Sequence, residues 1–281
     1  MTEELSPLEQ KVVKDLQKAN LTDAERKLLL KQLKQQKNDI KTYDHRLGAT
    51  KRHRFMVISD THIGEKKFLE SLLFTSFAYA KKYKPEAIYH CGDITEGMCR
   101  RPGHIYNLSH IGTTAQVNYT AELFSQSPVP IFGITGNHDQ WAFKDVGVDI
   151  GDSLENMVEQ FNYLGQNEAD IILGDNIKMK LFHANDGSAY AQSYKLQKLI
   201  ESFTGGEKPH ILFEGHYHKA LYSFIRNVHG FEAGTLCGQT EWMRGKKLAA
   251  NTGFWMVDLY LKNKGRDIES ITPRFIPYYL K

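Results

Sequence analysis

The sequence is poor in cysteine: Cys91, Cys99 and Cys237 are its only three, with no CxxC spacing. That excludes a disulfide framework and argues against a zinc knuckle, and a reducing, cytoplasmic setting fits best. Long apolar runs are missing too. No stretch approaches the roughly 20 residues needed to cross a bilayer, so no membrane partner is expected. The N-terminus, MTEELSPLEQKVVKDLQ, lacks the basic-then-apolar pattern of a signal peptide. Charge of one sign is also scarce. A formal net charge of +3 is too small to indicate a nucleic-acid binder by itself, so that reading must rest on local clusters. What remains, 281 residues at 41% hydrophobic and 25% charged, suits one large globular domain or one domain with an appendage.

Glycine is absent before Gly48, and the first 50 residues are rich in Lys, Gln and Leu. Ser6-Pro7-Leu8-Glu9 reads as a capping box with proline at the first helical position. Leu8, Val12, Val13 and Leu16 then form one apolar stripe. Thr22 to Glu25 repeats the box, and Leu29, Leu30 and Leu33 carry a second stripe. Residues 1–50 are therefore expected to be a helical hairpin and linker, with 51–281 as the main domain. Lys27, Lys31, Lys34 and Lys41 share a face of the second helix, which reads as a solvated face or a phosphate contact. The hairpin is also a candidate for pairing chains into a homo-oligomer.

From Phe55 the pattern becomes strand and helix in alternation. FMVIS, AIYHC, VPIFGIT, IKMKLFHA and HILFE read as strands. Helical stretches are expected around Phe68 to Phe77, Gln116 to Phe124, Ser153 to Tyr163 and Tyr190 to Phe203. That argues for an α/β core. After His218 the runs ALYSFI, GFEAGT and GFWMVDLYL are strand-like.

Polar residues then fall in one register relative to the strands. FMVIS is followed by Asp60-Thr61-His62, AIYHC by Gly92-Asp93, and VPIFGIT by Gly136-Asn137-His138-Asp139. IKMKLF delivers His183, and HILFE is followed by Gly215-His216-Tyr217-His218. In an open α/β sheet, ligands gather at the carboxyl ends of strands. One Asp-X-His or Gly-Asp is commonplace, but five at strand ends are not incidental. Asp60, His62, Asp93, Asn137, His183, His216 and His218 offer mixed oxygen and nitrogen donors in a number that serves two transition metals. Two metals about 3.5–4 Å apart hydrolyse phosphate esters by in-line displacement.

This motif set, in this order, resembles that of the calcineurin-like metallophosphoesterases over about residues 55 to 260. The resemblance implies a four-layer α/β/β/α sandwich with a dimetal site at the strand tips. It implies that Asp60, His62 and His218 hold the first metal, that Asn137, His183 and His216 hold the second, and that Asp93 bridges both. Mn2+ is the leading candidate, with Fe, Zn, Co or Ni as alternatives. A hydroxide bridging the two metals would attack phosphorus. His138 matches the family's non-ligand histidine and would stabilise the transition state or protonate the leaving oxygen. One departure is Phe182, where the family often has glycine. Glu96 is given no catalytic role.

The substrate is written less clearly. GMCRRPGHIYNLSHIGTT follows Asp93 and is expected to overhang the metals, so Arg100, Arg101, His104 and Tyr106 could grip a phosphate or stack on a base. Arg244-Gly245-Lys246-Lys247 behind Trp242 forms a second basic cluster. The stretch from Gly92 to Gln116 resembles the small-subunit branch of archaeal family D DNA polymerases and, more distantly, double-strand-break-repair nucleases. YLGQNEAD and the run from Gly187 to Ala220 resemble a phage- and archaea-associated phosphoesterase group. The expectation is a phosphodiesterase acting on nucleic acid. The alternatives are a phosphomonoesterase or cyclic-nucleotide phosphodiesterase, and a non-catalytic nucleic-acid-binding adaptor.

Overall fold

A computed structural model describes residues 42–46, 52–99 and 101–279. Two six-stranded sheets pack face to face. The first is built around parallel strands β2 (Arg52–Ile58), β3 (Ala87–Cys91), β4 (Ile131–Thr135) and β5 (Phe161–Gln166). β11 (Gly253–Lys262) runs antiparallel to β2, and β12 (Asp267–Pro277) closes that side. The second sheet has the order β1 (Thr42–Asp44), β6 (Glu168–Gly174), β7 (Ile177–His183), β8 (Ile211–Gly215), β10 (Val228–Ala233), β9 (Ala220–Ile225).

The four layers follow from strands that are apolar on both faces. β3, β4 and β8 are buried at every position, as strands covered on both sides must be. Alternate side chains divide between two cores. Phe55, Val57, Tyr89 and Ile134 meet Leu181, Phe213 and Phe231 between the sheets. Met56, Ile58, Ile88 and Ile131 face outward under α1 (Glu70–Tyr83), α2 (Thr113–Phe124) and α4 (Ile150–Met157), which contribute Leu72, Phe77, Phe124 and Leu154. On the far side, Leu196 and Ile200 of α5 (Tyr194–Ser202) cover Leu212 and Val228. Two short helices, α3 (Asp139–Val146) and α6 (Glu241–Gly245), stand at the strand tips.

The expected sandwich is therefore present, with differences in detail. The hairpin expected at the N-terminus, including its lysine face, falls on residues outside those described. Within the expected linker, Thr42–Asp44 pairs in parallel with Asp170–Ile172 as an edge strand. The helix expected over Ser153 to Tyr163 ends at Met157, because Val158 turns to extended backbone and Phe161 enters β5. No helix among the described residues is long and apolar enough to cross a membrane.

Candidate metal centre

Each motif sits on a sharp turn at a strand tip. Asp60, His62, Asp93, His216 and His218 all have positive φ, between 48° and 90°. Non-glycine residues adopt that backbone reluctantly, at a cost of about 1–3 kcal/mol each, and here it aims the side chains inward from both sheets. The neighbouring glycines make room. A Cβ on Gly136 would meet Asp93 Oδ1 at 2.3 Å and His183 Nε2 at 2.6 Å. A Cβ on Gly92, at φ +91°, would meet His183 Nδ1 at 2.5 Å.

The turns gather two donor clusters. In one, atoms of Asp60, His62 and His218 lie within 4.8 Å of one another; in the other, atoms of Asp93, His183 and His216 do. His62 Nε2 and His218 Nε2 face each other at 3.0 Å, and His218 Nε2 lies 3.4 Å from Asp60 Oδ1. Asp93 Oδ2 lies 3.2 Å from His183 Nε2 and 3.8 Å from His62 Nε2, so it addresses both clusters. Asn137 Oδ1 joins the second cluster, 3.2 Å from His183 Nε2.

Hydrogen bonds fix which nitrogen of each ring is free. His183 Nδ1 donates to the Cys91 carbonyl at 2.7 Å, turning Nε2 inward. His216 Nε2 donates to the Asp186 carbonyl at 2.8 Å, leaving Nδ1 for the cluster. His62 Nδ1 donates to Glu96 Oε2 at 2.7 Å, leaving Nε2. Ring partners of this kind set the tautomer and basicity of metal-ligating histidines. Asp60 accepts from the His216 backbone N–H at 3.0 Å and from Ser59 Oγ at 2.5 Å.

The donors fit cations by charge as well as by position. Burial would raise the Asp93 carboxyl, yet the imidazoles of His183, His138 and His62 hold it well below the carboxylate range. Burial opposes charge on the His183 ring, but Asp93 overrides it and lifts the ring to about 9. The buried carboxylates thus demand positive charge opposite them, which a divalent cation supplies in place of protons. The mixed imidazole, carboxylate and amide set suits first-row transition metals.

Glu96 is the residue that reading the sequence underrated. Its carboxylate accepts from His62 Nδ1 and from His104 Nε2, each at 2.7 Å, and lies 3.3 Å from His138 Nδ1. Its carbonyl accepts from His138 Nδ1 at 3.0 Å. Three imidazoles are therefore held by one glutamate. The three-residue step from Asp93 to Glu96 was the available signal. His138 packs its ring 4.6 Å from that of His62 and 4.1 Å from that of Trp141. Burial lowers its pKa, but Asp93 and Glu96 outweigh that and raise it to about 10. Asp139 ties two tips together, accepting from Ile94, Thr95 and Gly136 backbone N–H groups and from Thr95 Oγ1.

Of the residues expected to meet substrate, Arg101 lines the cavity over the clusters. His104 turns inward instead: it is buried against Glu96, away from the substrate role read from the sequence. Arg100 lies outside the described residues. Tyr106 is exposed. His90 is buried against Thr61 Oγ1 and the Gly92 N–H rather than a ligand side chain. The cavity, about 350 Å3, also takes in Trp141, Trp242 and Met243.

Paired clusters bridged by one carboxylate, at the joined tips of an α/β/β/α sandwich, define a metal-dependent hydrolase of phosphate esters. The family model of the calcineurin-like phosphoesterase superfamily domain matches residues 54–250. The chain belongs to that superfamily. A relative named DNA polymerase II small subunit, from Methanothermobacter thermautotrophicus, is 25% identical over 66% of this chain and 48% of its own length, so the chain spans about half of it. Among solved structures, an archaeal phosphodiesterase aligns at 14% identity over 80% of this chain and 99% of that chain, with a TM-score of 0.48. A phosphoesterase from E. coli aligns at 11% identity over 78% and 98%, with a TM-score of 0.43.

Proposed function

We propose that this metal-dependent phosphoesterase is a phosphodiesterase acting on nucleic acid. The observation that carries the reading is the surround of the two clusters. Arg101 lines their cavity, and Lys66, Lys67, Arg244, Lys246 and Lys247 stand exposed on adjoining segments. Those segments are joined to the cavity wall by Gly238 N–H donating to the Lys67 carbonyl and Lys66 N–H to the Asn107 carbonyl. A basic rim suits a polyanion better than a small monoester. A relative named for DNA polymerisation supports the same direction.

Asp60, His62 and His218 would hold one cation, and Asn137, His183 and His216 the other, with Asp93 shared. Two divalent cations held there, Mn2+ foremost, would supply Lewis acidity at phosphorus and a lowered pKa for the attacking water. Asn137, being neutral, binds without cancelling charge that the substrate needs. His138 fixes its Nδ1 proton on Glu96 and presents the rest of its ring to the cavity. There it donates to a phosphoryl or leaving oxygen as charge develops. His138→Ala is expected to lower kcat by about 10²–10⁴-fold with metal content unchanged by elemental analysis. Full activity in the purified variant would remove the role. The reading as a whole is tested with 4-nitrophenyl phosphate and bis(4-nitrophenyl) phosphate in Mn2+, beside salt-dependent DNA binding. Preference for the diester with salt-sensitive binding supports it; preference for the monoester without DNA affinity overturns it.

A further inference from the structure

The cavity over the clusters is larger than a phosphate group requires, and its lining is of two kinds. His62, Asp93, Asn137 and His138 of the cluster region line it, and so do Arg101, Trp242, Met243 and Leu248, which belong to neither cluster. Trp242 stands on α6, whose start is fixed by Thr240 Oγ1 accepting from the Met243 N–H at 3.2 Å. Trp242 lines the cavity and is 46% exposed, so it is not spent on filling a core. The Arg101 guanidinium reaches across from the loop after β3 and lies 5.4 Å over that indole. An open indole beside a phosphoester site, partnered by arginine, is a stacking platform for a planar ring.

Size narrows what can use it. A cavity of about 350 Å3 sits at the small end of ligand pockets, about 300–1,000 Å3. It suits one nucleotide and not a stacked, paired run. A base still held in a duplex cannot reach such a wall, so the entering unit must be unpaired.

We propose that Trp242, Met243 and Leu248, with Arg101 beside the indole, seat the base of the nucleotide whose phosphate is attacked, so that the chain prefers an unpaired nucleotide ester over a base-free phosphodiester. The inference rests on the phosphodiesterase reading above. It assigns discrimination to α6 and its neighbours, and hydrolysis to the strand tips.

Two diesters with one leaving group separate the two. Hydrolysis of thymidine 5′-(4-nitrophenyl) phosphate forms a P–O bond from water, breaks the P–O bond to 4-nitrophenol, and leaves thymidine 5′-monophosphate. Methyl 4-nitrophenyl phosphate undergoes the same exchange without a base. With the full chain in Mn2+, kcat/KM is expected to favour the thymidine ester by about tenfold or more. Trp242→Ala is expected to bring the ratio close to one. Equal kcat/KM for the two esters in the unaltered protein overturns the base subsite and leaves the phosphodiesterase reading standing. Turnover of 4-nitrophenyl phosphate with neither diester hydrolysed overturns both. Binding gives a second readout that needs no turnover. In a Trp141→Phe background, which removes the other cavity tryptophan, thymidine 5′-monophosphate is expected to quench tryptophan fluorescence and to lose that effect on adding Trp242→Ala, while inorganic phosphate quenches neither. Absence of quenching, or quenching that survives the substitution, overturns the assignment.

Discussion

Glu96 shows how much one residue can organise. It is buried, and it holds His62, His104 and His138 together across sequence separations of 34, 8 and 42 residues. Glutamine in its place keeps one acceptor oxygen and loses the charge. Glu96→Gln is expected to weaken Mn2+ binding and kcat by about 10–100-fold, read by calorimetric titration beside steady-state kinetics, with circular dichroism unchanged. Glu232 is a different case. It is 1% exposed, neither carboxylate oxygen has a hydrogen-bond partner among the described residues, and burial pushes its pKa up to about 7. The unfolded chain ionises this group near 4.5. Its contribution to stability is therefore full below that value, falls as pH rises toward about 7, and is flat above. Glu232→Gln removes the slope: the variant should melt with the unaltered protein at about pH 4 and above it at about pH 8. Equal melting temperatures at both would contradict the assigned ionisation.

At the scale of elements, the strand tips carry the chemistry because backbone and glycine let them converge. Gly136 is tight against the clusters, with Asp93 Oδ1 occupying the space a methyl group would need. Gly136→Ala is expected to displace Asp93 or His183, lower bound metal below two ions per chain and cut kcat by about 10²-fold; unchanged metal content would show that the turn can give way. These tips were legible in the sequence because each ligand follows an apolar run directly, and short-range spacing survives folding. Other elements were not. Thr42–Asp44 is too short to show a period, and its partner lies at Asp170–Ile172. Phe161–Gln166 and Glu168–Gly174 are separated by one residue and go to different sheets, a division no local pattern encodes. Glu96 was visible, but its three imidazole partners were not, since two of them sit on other segments. His104 was read as a substrate contact from the polarity of its loop, whereas the loop folds back and buries it.

At the scale of the molecule, both donor clusters draw on both sheets. Asp60 and His62 follow β2, and Asp93 and Asn137 follow β3 and β4; His183 ends β7 of the opposite sheet, and His216 and His218 follow its β8. Cations bound there stabilise the packed form by mass action, about 2.7 kcal/mol at a free concentration one hundred times Kd. Chelation with EDTA should therefore lower the melting temperature by several degrees, about 2–4 °C per kcal/mol for a chain of this size, and Mn2+ should restore it. A melting temperature indifferent to chelator would argue that the clusters do not load.

The division of ligands between sheets also has a consequence in time. Neither sheet alone assembles either cluster, so no cation finds its full set of donors until the two faces have docked. Interactions completed that late leave the folding rate nearly untouched and slow the reverse step. The ions would act as a latch on the closed sandwich, setting how long a molecule persists once made rather than how quickly it is made.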